Sequence, residues 1–290
     1  MGQQLPERLT KAGAKLRFLL TLAANHEAGE RRSLLSTYAR LLLTKKLLVD
    51  GLRQPRTHER LLDFEVDLAS YRTFVQLFEE IFIDGVYEFQ PRDSRPFIVD
   101  CGSNIGLASL FFKRRYPEAE ILAFEPSPQT FGLLQHNVAQ NHLSGVRVVQ
   151  AAVSNEEGQL PFYYDAGVRG GLNESLRADM GHASVVTVPA VKLSGWLDRP
   201  VDLLKLDVEG MASRVLEDLA ESGKLALVHE VIIEFERFVR MRDRGIARGL
   251  QLLEEAGFDY QLRTETFTDQ GPQRDELVFV HAYRRVREMA

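Results

Sequence analysis

Val99-Asp100-Cys101-Gly102-Ser103-Asn104-Ile105-Gly106 is the stretch on which the fold turns. It closes a short apolar run, Phe97-Ile98-Val99, and leads into residues 107–115, whose composition is helical. A strand that ends in glycines and passes directly into a helix is the first unit expected of a ligand-binding α/β sheet. Gly102 and Gly106 let the backbone turn sharply and approach a ligand without a Cβ clash, and Asp100 stands at the strand end. Working outward, Ile121-Leu122-Ala123-Phe124, Val146-Arg147-Val148-Val149, Leu203-Leu204-Lys205-Leu206 and Val231-Ile232-Ile233 are further β-rich runs, most of them separated by helix-length segments. Nearly all-apolar strands alternating with helices predict a mostly parallel sheet covered by helices on both faces. Residues 160–191 break the rhythm with Tyr163, Tyr164, Gly167, Gly170 and Gly171 and read as an insertion of loop and short strand.

The chemistry gathers at the strand ends. A nicotinamide loop would read G-x-G-x-x-G, but the position two after Gly102 is Asn104, and the acidic residue precedes the first glycine. That order favours S-adenosylmethionine over a dinucleotide, with Asp100, Gly102, Ser103, Asn104 and Gly106 as its binding loop. The second strand closes with Phe124-Glu125-Pro126, 23 residues beyond Gly102. A carboxylate there is placed to accept hydrogen bonds from both ribose hydroxyls of an adenosine, and Pro126 follows it. The competing reading of Glu125 is a surface glutamate ahead of the helix start Ser127-Pro128. Ala151-Ala152-Val153-Ser154, after the third strand, offers a small apolar wall for adenine, through Ala152 and Val153. The fourth strand runs into Asp207-Val208-Glu209-Gly210. Two carboxylates at alternate positions point the same way if the strand continues, and they then face the cleft.

Together these blocks resemble the FkbM family of methyltransferases over roughly residues 97–282, and Gly85-Val86-Tyr87-Glu88-Phe89 resembles the family's lead-in to the first strand. The resemblance implies a Rossmann-like class I methyltransferase fold: a seven-stranded, mostly parallel sheet with the last strand antiparallel. It also implies methyl transfer, usually to a hydroxyl oxygen of a sugar, glycan, glycolipid or polyketide-type natural product. On this reading Asp100, Gly102, Asn104 and Gly106 surround the methionine moiety, Glu125 holds the ribose, and Asp207 with Glu209 serves the reaction side. Many relatives carry a second glutamate two residues after the Glu-Gly pair, where this chain has Ala212.

An alcohol is a poor nucleophile until its proton is leaving, so Asp207 or Glu209 is the expected general base. The alternative is that they cap the next helix or orient the cofactor. A divalent cation suits oxygen ligands, but two carboxylates without a third ligand do not indicate one. Candidate acceptor contacts are Asn173 and Ser175, after the paired glycines, and Glu234, at the end of the fifth strand. Cys101 reads as a small packing residue, and Tyr71, Phe74, Phe78 and Phe82 read as core.

The 290 residues suffice for one large α/β domain with an accessory segment: residues 1–90 helical, residues 91–290 the methyltransferase domain. Leu34, Leu35, Tyr38, Leu41 and Leu42 predict a helix over residues 31–49, and a second apolar pattern begins at Leu61. The segment is expected to shape or cover the active site. A net charge of -5 argues against a nucleic-acid partner. Residues 1–60 nonetheless hold 12 Lys/Arg against 5 Asp/Glu, so peripheral contact with an anionic membrane stands beside the plainer reading of a solvated helix face. One cysteine excludes an internal disulfide, and no apolar run reaches bilayer-spanning length, so a cytoplasmic protein is expected. Two other classes compete: a non-catalytic adenosylmethionine-binding or docking module, and a nicotinamide oxidoreductase, which Asn104 and the lack of a catalytic Tyr-Lys or His-Asp pair disfavour.

Overall fold

A computed structural model describes residues 27–164, 184–208, 210–237, 245–267 and 275–284. The chain divides into two compact units, Met1–Glu88 and Phe89–Ala290.

In the first unit, α1 (Ala28–Thr44) runs on as a wider π-helical segment to Gly51. The helix forms where the apolar spacing predicts it, but its buried face is Leu34, Thr37 and Leu41, while Leu35 and Leu42 are exposed. They lie one position further round the helix, on the solvent side of the inward stripe. The segment is also not purely helical. Strands β1 (His58–Leu61) and β2 (Phe64–Asp67) pair antiparallel as a hairpin. Its inward positions in β1 are Glu59 and Leu61, so a charged residue stands where an alternating pattern would put an apolar one. Glu59 is kept there by the Tyr71 hydroxyl, which donates to it at 2.8 Å, and by Arg40. Helix α2 (Tyr71–Phe78) starts at Ser70, whose hydroxyl accepts from Thr73 N–H, and continues as a π-helical turn to Ile83. The aromatics Tyr71, Phe74, Phe78 and Phe82 are all buried, as core residues should be.

The second unit is built on β3 (Phe97–Cys101), β4 (Glu120–Phe124), β5 (Val146–Val149), β9 (Val201–Leu206), β10 (Val228–Arg237), β11 (Phe258–Phe267) and β12 (Asp275–Arg284). They form one sheet in the order β11-β12-β10-β9-β3-β4-β5. The five strands β3, β4, β5, β9 and β10 are parallel, and β12 runs antiparallel between β10 and β11. This is the Rossmann-like α/β sheet the strand rhythm predicts. Helices α3 (Leu107–Arg115), α4 (Pro128–Gln140), α5 (Ala212–Glu221) and α6 (Gly245–Glu255) connect the strands. All six residues of β9 are buried, including Asp202 and Lys205.

The described parts of the insertion after β5 are strands. Strands β6 (Ala152–Ser154), β7 (Gly158–Tyr164) and β8 (Ser184–Lys192) make a separate sheet in the order β6-β8-β7. Strands β7 and β8 pair antiparallel over seven positions, Gly158 to Tyr164 against Ala190 to Ser184, while Gly167, Gly170 and Gly171 lie outside the described residues. Among the described residues, no helix is long and apolar enough to cross a membrane.

Candidate active site

Strand order reverses at β3: β4 and β5 extend the sheet on one side, and β9 and β10 on the other. In such sheets the crevice at the carboxyl ends beside this switch is where a ligand fits. The loop leaving β3 is therefore the first part of the site. Gly102 N–H and Ser103 N–H both donate to the Phe124 carbonyl, at 3.0 and 2.9 Å, tying the loop to the end of β4. The Ser103 hydroxyl donates back to the Asp100 carbonyl at 2.9 Å. Asn104 has φ +50°, a left-handed conformation that Asn tolerates better than most residues, and its Oδ1 accepts from Ile105 N–H at 2.8 Å. From behind, the Asn137 amide of α4 donates to the Ile105 carbonyl at 2.8 Å. Gly106, with φ +94°, begins α3.

Gly102 has a sharper requirement than ligand approach. Its φ is +83°, and a Cβ added there would lie 1.8 Å from the Asp207 carbonyl oxygen. The loop after β3 and the chain leaving β9 are thus in backbone contact, and Asp207 N–H donates to the Cys101 carbonyl at 3.0 Å.

Glu125 is buried, and its carboxylate is bidentate to the backbone: Oε2 accepts from Asn104 N–H and Oε1 from Ser127 N–H, each at 2.9 Å. It is not the surface glutamate of the competing reading. Ser127 precedes α4 with Pro128 in its first turn, but the Ser127 side chain makes no capping bond to that helix. Pro126 is half-buried beside Glu125. Ala152 and Val153 are buried in β6, where they pair with Ala190 and Val191 of β8.

The charged centre joins the ends of β3 and β9 to Glu234, which lies within β10 and not at its end, because the pairing with β12 carries that strand on to Arg237. Asp100 is fully buried at the end of β3, and the Lys205 ammonium lies 3.0 Å from its Oδ1 and 3.5 Å from Asp207 Oδ2. Lys205 also donates to the Gly102 carbonyl at 2.9 Å. Glu234 follows Ile233, the β10 partner of Leu206, so it stands level with Asp207, and its charge acts on Lys205. Burial opposes the Lys205 charge, but Asp100 and Asp207, with Glu234, raise its pKa above the ordinary lysine value. Burial pushes the Asp207 carboxyl up from the usual carboxylate range; Lys205 counteracts this and Asp100 adds to it. The Asp207 side chain keeps 27% of its surface open, so this carboxylate reaches the mouth of the crevice while Asp100 does not. Cys101 is buried, and burial followed by the Asp100 charge drives its thiol far up, which makes it a packing residue.

The structure therefore brings Asp100, Gly102, Ser103, Asn104, Gly106, Glu125, Asp207 and Glu234 together on the carboxyl-end side of the parallel strands. Strand β9 stops at Leu206, so Asp207 is held by the loop contact and not by a continuing strand. Glu209, Asn173 and Ser175 lie outside the described residues. Lys205 is the charged residue of this cluster that motif reading passed over. Its signal was a lysine inside an apolar strand, where a charge persists only if paired. Among the described residues, no group of three or more His, Cys, Asp or Glu side chains is arranged to hold a metal ion.

Residues 100–260 match the Methyltransferase FkbM domain. The chain belongs to the FkbM methyltransferase family. It is 35% identical over 233 residues to "Methyltransferase sdnD" of Sordaria araneosa, covering 67% of this chain and 88% of that protein. It is 33% identical over 202 residues to "Methyltransferase 1" of Beauveria bassiana, covering 62% and 79%. A more distant relative, "2-O-methyltransferase NoeI" of Sinorhizobium fredii, is 26% identical over 138 residues, 42% of this chain and 56% of that protein. The FkbM match begins at Asp100 and includes the glycine loop, Glu125, Lys205, Asp207 and Glu234.

Proposed function

We propose that this FkbM methyltransferase uses S-adenosylmethionine to methylate a hydroxyl oxygen on a sugar, glycan, glycolipid or polyketide-type natural product. The observation that carries the reading is the Asp207 carboxylate, partly open to solvent and linked through the Lys205 ammonium to the glycine loop, whose Gly102 abuts the Asp207 backbone carbonyl. The "2-O-methyltransferase" in the name of the relative NoeI supports oxygen as the acceptor atom.

The residues suit this cofactor. Both Asp100 oxygens are buried and neither accepts a well-aligned hydrogen bond, although Lys205 lies alongside. Three carboxylates face one lysine, which favours a cationic ligand. When bound, the cofactor would supply a methyl group made electrophilic by a sulfonium. Glu125, locked in direction by Asn104 N–H and Ser127 N–H, would orient the ribose hydroxyls. The glycine loop, with Asp100, would hold the methionine end, and Ala152 and Val153 would line the adenine side. Asp207 would accept the acceptor's hydroxyl proton on its carboxylate, with Glu209 the alternative base two residues on. Glu234, level with Asp207, and Asn173 and Ser175 of the insertion would contact the acceptor. Much of the rate gain then comes from holding the reacting oxygen in line and from moving its proton.

The test is a mass-spectrometric screen with isotope-labelled S-adenosylmethionine against sugars, glycolipids and polyketide alcohols, run beside calorimetric titration of the same cofactor and of NAD. Heat release with S-adenosylmethionine and a label transferred to oxygen are expected. NAD binding without S-adenosylmethionine binding would overturn the reading. Normal turnover in both Asp207→Asn and Glu209→Gln would remove the assignment of the base.

A further inference from the structure

Lys205 occupies a position that side-chain chemistry alone makes costly. Its side chain is 3% exposed, on the central strand of the sheet, and a buried ammonium is tolerated only when opposite charges and acceptors surround it. Here they do, from three elements. From β3 come the Asp100 carboxylate at 3.0 Å and the Gly102 carbonyl, which accepts its hydrogen bond at 2.9 Å. Beyond β9 lies Asp207 at 3.5 Å, and from β10 acts Glu234. Cys101 on β3 also feels the lysine charge but is itself neutral, because burial drives its thiol up.

The partners are unlike in kind. Asp100 and Gly102 belong to the turn that meets the cofactor on the reading above. Asp207 belongs to the segment that meets the acceptor. One ammonium spans both, at the place where Gly102 and the Asp207 carbonyl are already in contact. A purely apolar residue would pack β9 equally well, but it would leave Asp100 and Asp207 facing each other as like charges in a low-dielectric site. One of them would then hold a proton.

We propose that Lys205 is a positioning residue of the methyl-transfer site: its ammonium bridges the glycine turn and Asp207, fixing their separation and keeping Asp207 an anion able to take the acceptor's proton. This rests on the methyltransferase reading, with Asp207 as base. Lys205 does not touch the acceptor oxygen; it acts through Asp207 and Gly102.

The test follows the Asp207 carboxyl carbon by NMR in ¹³C-aspartate-labelled full-length protein, assigned by its loss in Asp207→Asn, without cofactor or acceptor. In Lys205→Met the midpoint of Asp207 rises by about 1–2 pH units, the size expected on removing an adjacent opposite charge. In Lys205→Arg it stays near the wild-type value. A role in packing alone predicts the reverse order of harm, since Met fits the strand better than Arg. Once an acceptor is found, the acid limb of the kcat profile moves with the same midpoint. An unchanged midpoint in a folded Lys205→Met protein overturns the proposal. Should Lys205→Met fail to fold, wild-type protein labelled with ¹⁵N-lysine answers instead. The Lys205 ammonium nitrogen and the Asp207 carbon then shift through one shared midpoint, and absence of any Lys205 response to that titration overturns the proposal. Calorimetry with S-adenosylmethionine on the wild type keeps the two ideas apart. No binding sinks the methyltransferase reading whatever Asp207 does, whereas binding with an unmoved Asp207 sinks only the role of Lys205.

Discussion

Gly102→Ala tests the contact on which the site geometry depends. The new Cβ would start 1.8 Å from the Asp207 carbonyl oxygen, whereas an ordinary contact needs 3.4 Å, so one of two backbones must retreat by about 1.6 Å. Neither retreats freely. The turn is tied to Phe124 by two N–H groups and to Lys205 by the Gly102 carbonyl, and the β9 exit is tied to Cys101 by Asp207 N–H. The left-handed φ of +83° adds about 1–2 kcal/mol for any residue with a Cβ, and overpacking adds about 1–3 kcal/mol, a total of roughly 2–5 kcal/mol. Urea unfolding of Gly102→Ala should therefore show a markedly lower midpoint. Calorimetry should show S-adenosylmethionine affinity reduced by at least about tenfold, because the displaced turn carries Asn104 away from Glu125. Gly132→Ala is the matched control. Gly132 lies on α4 with nothing within 4 Å of the added Cβ, so alanine there should stabilise by about 0.5–1 kcal/mol. If Gly102→Ala were as stable as the wild type and bound the cofactor normally, the backbone contact would not exist as described.

Glu125→Ala strips acceptors from two backbone N–H groups, so it should cost about 1–3 kcal/mol for each one left buried and unsatisfied, read by urea unfolding, and should lower cofactor affinity at least about tenfold. Glu125→Gln keeps one good acceptor and should lose clearly less stability, so equal losses in the two variants would refute the bidentate arrangement. Asp207→Asn is expected to lower kcat by about 10²–10⁴ with little change in cofactor affinity, measured by single-turnover label transfer and calorimetry. Asp202 supplies a pH signature remote from the site. Burial pushes its carboxyl up, but Arg92 at 2.7 Å and Phe97 N–H at 2.9 Å outweigh this and hold it below the usual value. A depressed folded pKa gives stability that is complete above the unfolded value near ~4 and is lost as pH falls through the folded one. The wild type should accordingly lose stability more steeply than Asp202→Asn below about pH 4, and parallel acid-unfolding curves would contradict the pairing.

How much of this was legible in the sequence depended on whether the physical cause was local. The strands of the large sheet announce themselves because burial on both faces leaves long apolar runs such as Phe97-Ile98-Val99 and Leu203-Leu204. The hairpin β1–β2 does not, because Glu59 fills an inward position and is made tolerable by Tyr71 and Arg40, which are 12 and 19 residues away. Alternation reports burial only where the buried side chains are apolar. Glu125 was recognisable from its place at a strand end, yet what fixes its orientation, the Asn104 and Ser127 amides, is visible only once β3 and β4 lie side by side.

Gly102 carries the same lesson one step further. A glycine after a strand shows that the chain needs a left-handed turn, but not what presses against it, and here the neighbour is the Asp207 backbone 105 positions along the chain. The consequence bears on mechanism. A glycine kept for ligand approach alone would leave the cofactor turn free to adjust independently of the β9 exit. A glycine kept for contact with Asp207 couples the two, and Lys205 ties the same two segments through side chains. Any change that shifts the cofactor turn should therefore displace the carboxylate proposed as the base, so damage to binding and damage to turnover should appear together in variants of Gly102 and separately in variants of Glu125 and Asp207.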